Sequence, residues 1–344
     1  MVQKAPLRLL LDSQALVANW RWLAAQSGVS CGAAVKADGY GLGARAVVAR
    51  LAAAGCRDVF VATWAEAAAL EPLPAGVHLA VLHGVREADM GAALASSARP
   101  VLNSPAQVAR WREAGGGGCD VMVDTGINRL GLTAAEAGSG LLDGLRIDTL
   151  MSHLACADEP DHPLNRRQLA AFSALRQTIK ARRYSLANSA GILLGRDYAF
   201  DLTRPGIAIY GGVPTPNAAG IEPVARIEAE IVQVRAVAAG EGVGYGATWR
   251  PANEARIAII NLGYADGYLR PFAPGAVASA GGGFFPIVGR VSMDLIAVDV
   301  TGSDVGEGDW MALDLDLPVL AARSGLSQYE VLTGLNDRFE RRWT

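Results

Sequence analysis

The sequence predicts a (β/α)8 barrel of the TIM type followed by a smaller, mostly-β C-terminal domain. Three observations carry this. The first 210 residues alternate short β-rich runs with alanine-rich stretches of helical length, and eight such runs can be counted. Polar residues follow the ends of those runs at widely scattered positions, and a closed barrel gathers strand ends at one mouth. After Gly211-Gly212-Val213-Pro214-Thr215-Pro216 the pattern changes to apolar–polar alternation broken by glycine turns, the signature of half-buried strands.

The eight runs are 31–35, 58–62, 77–82, 99–102, 119–123, 146–151, 183–187 and 201–208. Between them lie helix-length segments such as 44–54, 65–70, 104–113 and 165–181. Units of about 25 residues fit a barrel better than an open sheet. In the second region 226–237, 256–262, 285–300 and 310–315 read as strands, and helical character returns only over 319–335. The expected domains are 1–221 and 222–344.

Half of the residues are apolar and few are aromatic, which suits a large aliphatic core. A formal net charge of −3 with no basic cluster gives no footprint for nucleic acid. No apolar run approaches the roughly 20 residues that span a bilayer, and the run Leu9-Leu10-Leu11 is too short for a signal peptide. Cys31, Cys56, Cys119 and Cys156 are scattered without paired spacing, as expected of reduced thiols in a cytoplasmic protein.

The segment Val35-Lys36-Ala37-Asp38-Gly39-Tyr40-Gly41-Leu42-Gly43 carries the most chemistry. Of 31 basic residues only Lys4, Lys36 and Lys180 are lysines, so ordinary surface charge here is arginine. Lys4 lies in the N-terminal tail and Lys180 at a solvated helix end, whereas Lys36 stands where a strand meets a glycine turn. Lysine can lose its proton and form an imine, which arginine cannot. Lys36 is therefore the candidate covalent partner for a carbonyl group. Other polar residues follow the later runs: Asp124 and Arg129 the fifth, His153 the sixth, Asn188 and Ser189 the seventh, and Arg204, Gly206 and Tyr210 the eighth.

Three patterns mislead. Gly39-Tyr40-Gly41-Leu42-Gly43-Ala44 matches a loose dinucleotide fingerprint, but that needs an acid at the end of the next strand, where Thr63 stands. Asp124-Thr125-Gly126 has no second copy to share a proton with, as an aspartic protease requires. The four histidines (His78, His83, His153, His162) lack metal-ligand spacing, so no metal is expected.

Taken in order, further motifs make the resemblance specific. These are Ser152-His153-Leu154, Ala187-Asn188-Ser189, Arg204-Pro205-Gly206, Gly244-Tyr245-Gly246-Ala247-Thr248, Gly263-Tyr264-Ala265-Asp266-Gly267-Tyr268 and Gly289-Arg290-Val291-Ser292-Met293-Asp294. With the Lys36 and Asp124 segments, the chain resembles the alanine racemases almost end to end. The resemblance implies a pyridoxal 5'-phosphate isomerase of L- and D-alanine that supplies D-alanine for peptidoglycan.

It also implies roles. Lys36 would hold the cofactor covalently. Tyr40, Ser189, Tyr329 and the backbone of Gly206 and Ile207 would hold its phosphate, with Asn188 beside them. Arg129 would contact the ring hydroxyl, Arg204 the ring nitrogen, and His153 would orient Arg204. Tyr245, supplied by the partner subunit of a homodimer, would be the second acid–base group. Met293 with Arg129 would cradle the substrate carboxylate, and Asp158, Tyr264, Arg270 and Arg290 would line the entrance. A glycine-rich β turn accounts for Tyr264, Asp266 and Tyr268 almost as well. Met122 departs from the family pattern, which often has a modified lysine there to steady the arginine, and Leu335–Thr344 lacks an obvious match to the longer tails of some members. The alternatives are a racemase of serine or larger amino acids and a non-catalytic pyridoxal-phosphate carrier; the β domain argues against the carrier.

Overall fold

The computed structural model describes residues 5–216 and 218–344; Lys4 lies outside them. Contacts divide the chain into two units. One is Leu16–Glu222; the other joins the residues through Ala15 to Pro223–Thr344.

The first unit is the barrel. Seven parallel strands pair in chain order: Ala33–Ala34, Asp58–Val61, His78–Val81, Arg99–Leu102, Cys119–Met122, Ile147–Met151 and Arg183–Ser185. The eighth, Leu202–Thr203, pairs in parallel with Ser30–Cys31 just ahead of the first. On its other edge the Asp201 N–H donates to the Tyr184 carbonyl at 3.0 Å and the Arg204 N–H to that of Ala187 at 2.9 Å. Those bonds close the ring. The eighth run is shorter than 201–208 because Pro205-Gly206 interrupts it, and Ile207–Tyr210 coils into a 3-10 turn.

Phe60, Ala80, Val101, Met122, Met151 and Leu202 pack as one apolar cluster of buried strand residues. Two residues earlier on their strands, and so on the same face, Asp58, Arg99 and Asp120 join Arg183 and Asp148 in an ion network with contacts of 2.6–3.2 Å. Burial pushes Asp120 up to about 6. Local rules set the helix starts. Thr63 and Glu66 form a capping box before Trp64–Leu70, and Ser104 caps Pro105–Glu113. The His162 Nδ1 accepts the Leu164 N–H ahead of Pro163–Thr178, which gives that histidine a structural role.

The second unit is an antiparallel β barrel. The 13-residue strand Ala225–Val237 pairs through its first half with Trp310–Asp314 and through its second half with Ala255–Ile260, closing the sheet. The run 285–300 is two strands, Gly283–Val288 and Ile296–Asp299, separated by the loop that carries Arg290 and Met293. Helical residues 319–335 likewise split into Leu317–Ser324 and Gln328–Thr333 at Gly325, whose φ is +73°. One difference from the sequence reading matters. Leu7–Leu11 is a strand of this unit, lying between Ala225–Val237 and Glu340–Trp343. Its alternate leucines are buried, but its pairing partners lie more than 200 residues away, beyond the reach of local pattern.

The C-terminal segment also fastens two loops. The Arg338 guanidinium grips the fully buried Asp266 through two bonds, 2.6 and 2.9 Å, and reaches Asp294 at 2.7 Å. Asp266 in turn accepts the Gly263 N–H at 2.9 Å. Breaking this clamp leaves a buried carboxylate without its cation, so Arg338→Met is expected to lower stability by about 2 kcal/mol. The midpoint of urea unfolding, followed by circular dichroism, checks this.

Candidate active site

The barrel mouth is organised around a backbone anomaly. From Ala37 to Gly41 five consecutive residues have left-handed φ (53°, 50°, 64°, 56° and 84°), directly after Lys36. For residues with a Cβ this costs about 1–2 kcal/mol each, and such strain concentrates at functional sites. Glycine suits position 39, where φ is +64° and a Cβ would stand 3.0 Å from the Ala44 backbone. The turn is held by side chains: Asp38 Oδ1 accepts the Ala44 N–H at 2.8 Å, and Glu66 Oε1 accepts the Ala37 N–H at 2.7 Å. Lys36 is half-buried, and burial followed by the Arg129 charge pushes its amine below the ordinary lysine value, against the pull of Glu66.

Cationic groups meet at this mouth. His153 is pushed down to about 3 by burial and then by Arg204, Arg129 and Lys36, so it stays neutral across the physiological range. Arg204 is buried; its Nη1 donates to Ser185 Oγ and its Nη2 to the Ser152 carbonyl at 2.5 Å. Neither bond is to a carboxylate, and burial lowers Arg204 to about 10, which keeps it protonated at neutral pH. Among the described residues no hydrogen bond joins His153 to Arg204; the Ser185 hydroxyl and the Ser152 carbonyl hold the guanidinium, with His153 near enough to feel its charge. Arg129 is exposed, and its guanidinium has no partner among the described residues. Asp124 builds the turn beneath it by accepting the N–H groups of Gly126, Ile127 and Arg129. Met122 sits in the barrel core, 8% exposed.

Beside these cations lies a cradle for an anion. Ser189 Oγ accepts the N–H groups of Gly206 at 2.9 Å and Ala208 at 3.3 Å. A hydroxyl that accepts two bonds keeps its own proton to donate outward. The Tyr40 ring stacks on Tyr210 at 4.6 Å, and the Tyr40 hydroxyl occupies the space that a Cβ on Gly206 would fill. Asn188 caps Ser189–Leu193 through the Gly191 N–H at 2.8 Å and so supports Ser189. Ile207 opens the following 3-10 turn. A small molecule with an anionic end and a carbonyl fits these donors and Lys36.

The remaining predicted residues are on other segments of the two units. Asp158 is on an exposed loop after the sixth strand. In the β unit, Tyr245 is 67% exposed on a turn flanked by Gly244 and Gly246, both at positive φ. With Arg290 and Ser292 it lines a cavity of about 500 Å³. Met293, 53% exposed, shares a loop with these two, and its carbonyl accepts the Ala265 N–H at 2.9 Å beside Tyr264. The Arg270 guanidinium lies 5.3 Å over the Tyr264 ring. Tyr268 is a core residue packed edge-on against Phe272. Tyr329 is half-exposed on Gln328–Thr333. Sequence reasoning missed Glu66, Ser185 and Arg338; only the Thr63-x-x-Glu66 spacing offered a signal.

Comparisons with known proteins point to one family. Residues 11–214 match the family described as alanine racemase, N-terminal domain, and residues 224–343 that described as alanine racemase, C-terminal domain. The chain is 44% identical over 347 residues to the alanine racemase of Acidiphilium cryptum, covering 97% of each chain. It is 42% identical over 362 residues to that of Rhodospirillum rubrum, covering 99% of this chain and 96% of the relative. The crystal structure of alanine racemase from Bartonella henselae with covalently bound pyridoxal phosphate superposes with a TM-score of 0.88 at 34% identity, covering 99% of this chain and all of that one.

Proposed function

The chain belongs to the alanine racemase family, and from that premise we propose that it interconverts L- and D-alanine with pyridoxal 5'-phosphate by a two-base mechanism. The observation that carries this reading is the half-buried Lys36 grouped with Arg129 and Arg204 around His153, on a turn whose Tyr40 packs against the Ser189–Gly206 cradle.

Bound there, the cofactor supplies a carbonyl to link with an amine and an electron sink for the charge left on Cα. Ser189, Tyr40 and the Gly206–Ile207 backbone hold its phosphate, with Tyr329 as a further donor. Lys36 would hold the cofactor covalently and, when free, serve as an acid–base group. Its amine, biased towards neutrality by burial and by Arg129, then accepts or returns a proton at one face of Cα. Tyr245 of the partner subunit does the same at the other face, so that the site is complete only in a homodimer. Arg129 and Met293 grip the substrate carboxylate, and Asp158, Tyr264, Arg270 and Arg290 line its approach. The product would serve peptidoglycan synthesis in the cytoplasm.

Arg204 restrains side reactions. A protonated arginine donates a hydrogen bond to the ring nitrogen but gives up no proton, so the ring draws less charge from Cα and misplaced protonation is disfavoured. Its two hydrogen bonds use one N–H on each of Nη1 and Nη2, so three of its five N–H groups would remain to donate to the ring. Arg204→Glu is expected to raise the yield of pyruvate per racemisation event, assayed with a lactate dehydrogenase couple; an unchanged ratio counts against this role.

The function is tested with purified protein, added cofactor and L-alanine in deuterated water. Loss of the α-proton signal together with D-alanine by chiral chromatography is expected. Retention of the proton by cofactor-loaded protein would refute the reading.

A further inference from the structure

Glu66 has more bonds than a helix cap requires. As the third residue of its capping box it needs one oxygen for the loop ahead of Trp64–Leu70, and Oε2 serves that loop through the N–H groups of Ala62 at 2.6 Å and Thr63 at 3.1 Å. Oε1 turns away from its own helix to the Ala37 N–H, 29 positions earlier, at 2.7 Å. One carboxylate thus joins the first two loops of the barrel mouth. The residue it holds is the first of the five left-handed residues behind Lys36. We propose that Glu66 is a positioning residue for Lys36: it fastens the strained turn behind the lysine through the Ala37 N–H and so keeps an anion in the surroundings of the lysine amine.

The charges around Lys36 make the second half of this role specific. Arg129 faces the amine and favours its neutral form, His153 stands neutral nearby, and Glu66 is the anionic group acting on it among the described residues. An acid–base group that works in both directions must take a proton and give it back. Burial and Arg129 alone would make Lys36 a poor acceptor, and Glu66 offsets them. The proposal rests on Lys36 acting as the acid–base lysine of the reading above.

The test uses Glu66→Gln holoenzyme with two readouts. A glutamine offers one acceptor oxygen where two carboxylate oxygens now serve two loops, so it cannot join both, and the charge is gone. Hydrogen–deuterium exchange at the Ala37 amide should quicken by about tenfold or more as the turn opens locally. The pH profile of kcat should also move, since it reports groups in the substrate complex. Without the anion the ammonium is less favoured and the lysine titrates lower. In the direction where Lys36 accepts the proton, the acid limb should shift to lower pH; in the reverse direction the alkaline limb should shift the same way. A loss of kcat with both limbs unmoved would make Glu66 merely structural and overturn the proposal, as would unchanged exchange.

Glu66→Asp separates the two functions by keeping the charge on an arm one methylene shorter. It should show fast exchange at Ala37 with limbs close to the wild-type positions; a fully protected Ala37 amide in this variant would overturn the staple even if Glu66→Gln did not fold. Wild-type enzyme that fails to racemise alanine would instead sink the underlying reading, while the Ala37 exchange result would stand on its own.

Discussion

Lys36→Ala is expected to lower racemisation by about 10⁴-fold or more, because it removes one acid–base group and the covalent attachment together. The change should leave the fold intact. Lys36 is half-buried and follows a strand rather than filling the core, and the turn behind it is held by Glu66 and Asp38. The cofactor should still associate, since the Ser189 hydroxyl, the Tyr40 hydroxyl and the arginines remain, but it should be lost on dialysis. Visible absorbance before and after dialysis separates this outcome from misfolding. Methylamine added to the variant should return part of the activity. An alanine variant that racemised at near the wild-type rate would remove Lys36 from the chemistry.

Tyr245→Phe is expected to lower kcat by about 10²- to 10⁴-fold in both directions, the range for losing one general acid–base group. The ring is retained, so the fit of the turn is preserved, and Tyr245 is mostly solvent-exposed within its own unit. Stability should therefore hardly change, and cofactor absorbance should survive dialysis, unlike in Lys36→Ala. The two variants thus fail in distinguishable ways: one loses the attachment and a base, the other a base alone. A Tyr245→Phe enzyme with wild-type kcat would leave the second face of Cα without its assigned group.

Much of the barrel was legible in the chain because its strands are brief apolar runs punctuated by polar ends. Lys36 stood out for a compositional reason: with lysine nearly absent, a lysine between a strand and a glycine turn is conspicuous. Arg204 was legible beside Pro205-Gly206, which stop the eighth strand. What the sequence concealed was of another kind. Leu7–Leu11 finds its partners at residues 225–229 and 340–343, so no window around it contains the pairing signal. Glu66 looks like one more acid at a helix start, and its reach to Ala37 depends on the left-handed turn, which glycines alone do not announce. Arg338 is one arginine among many near the C-terminus; only folding brings the buried Asp266 to it. Asp124 and Asp266 were each noticed for their motifs, yet their bonds make them builders of turns and clamps.

In the proposed enzyme one site takes Lys36 from one chain and Tyr245 from another. Lys36→Ala and Tyr245→Phe, each inactive alone, are unfolded together, refolded and assayed for D-alanine. If the site is shared, half of the random dimers are heterodimers with one intact site in two, and about one quarter of wild-type activity returns. Every site lacks one base if both groups come from the same chain, and a refolded, cofactor-loaded mixture with no recovered activity would contradict the claim.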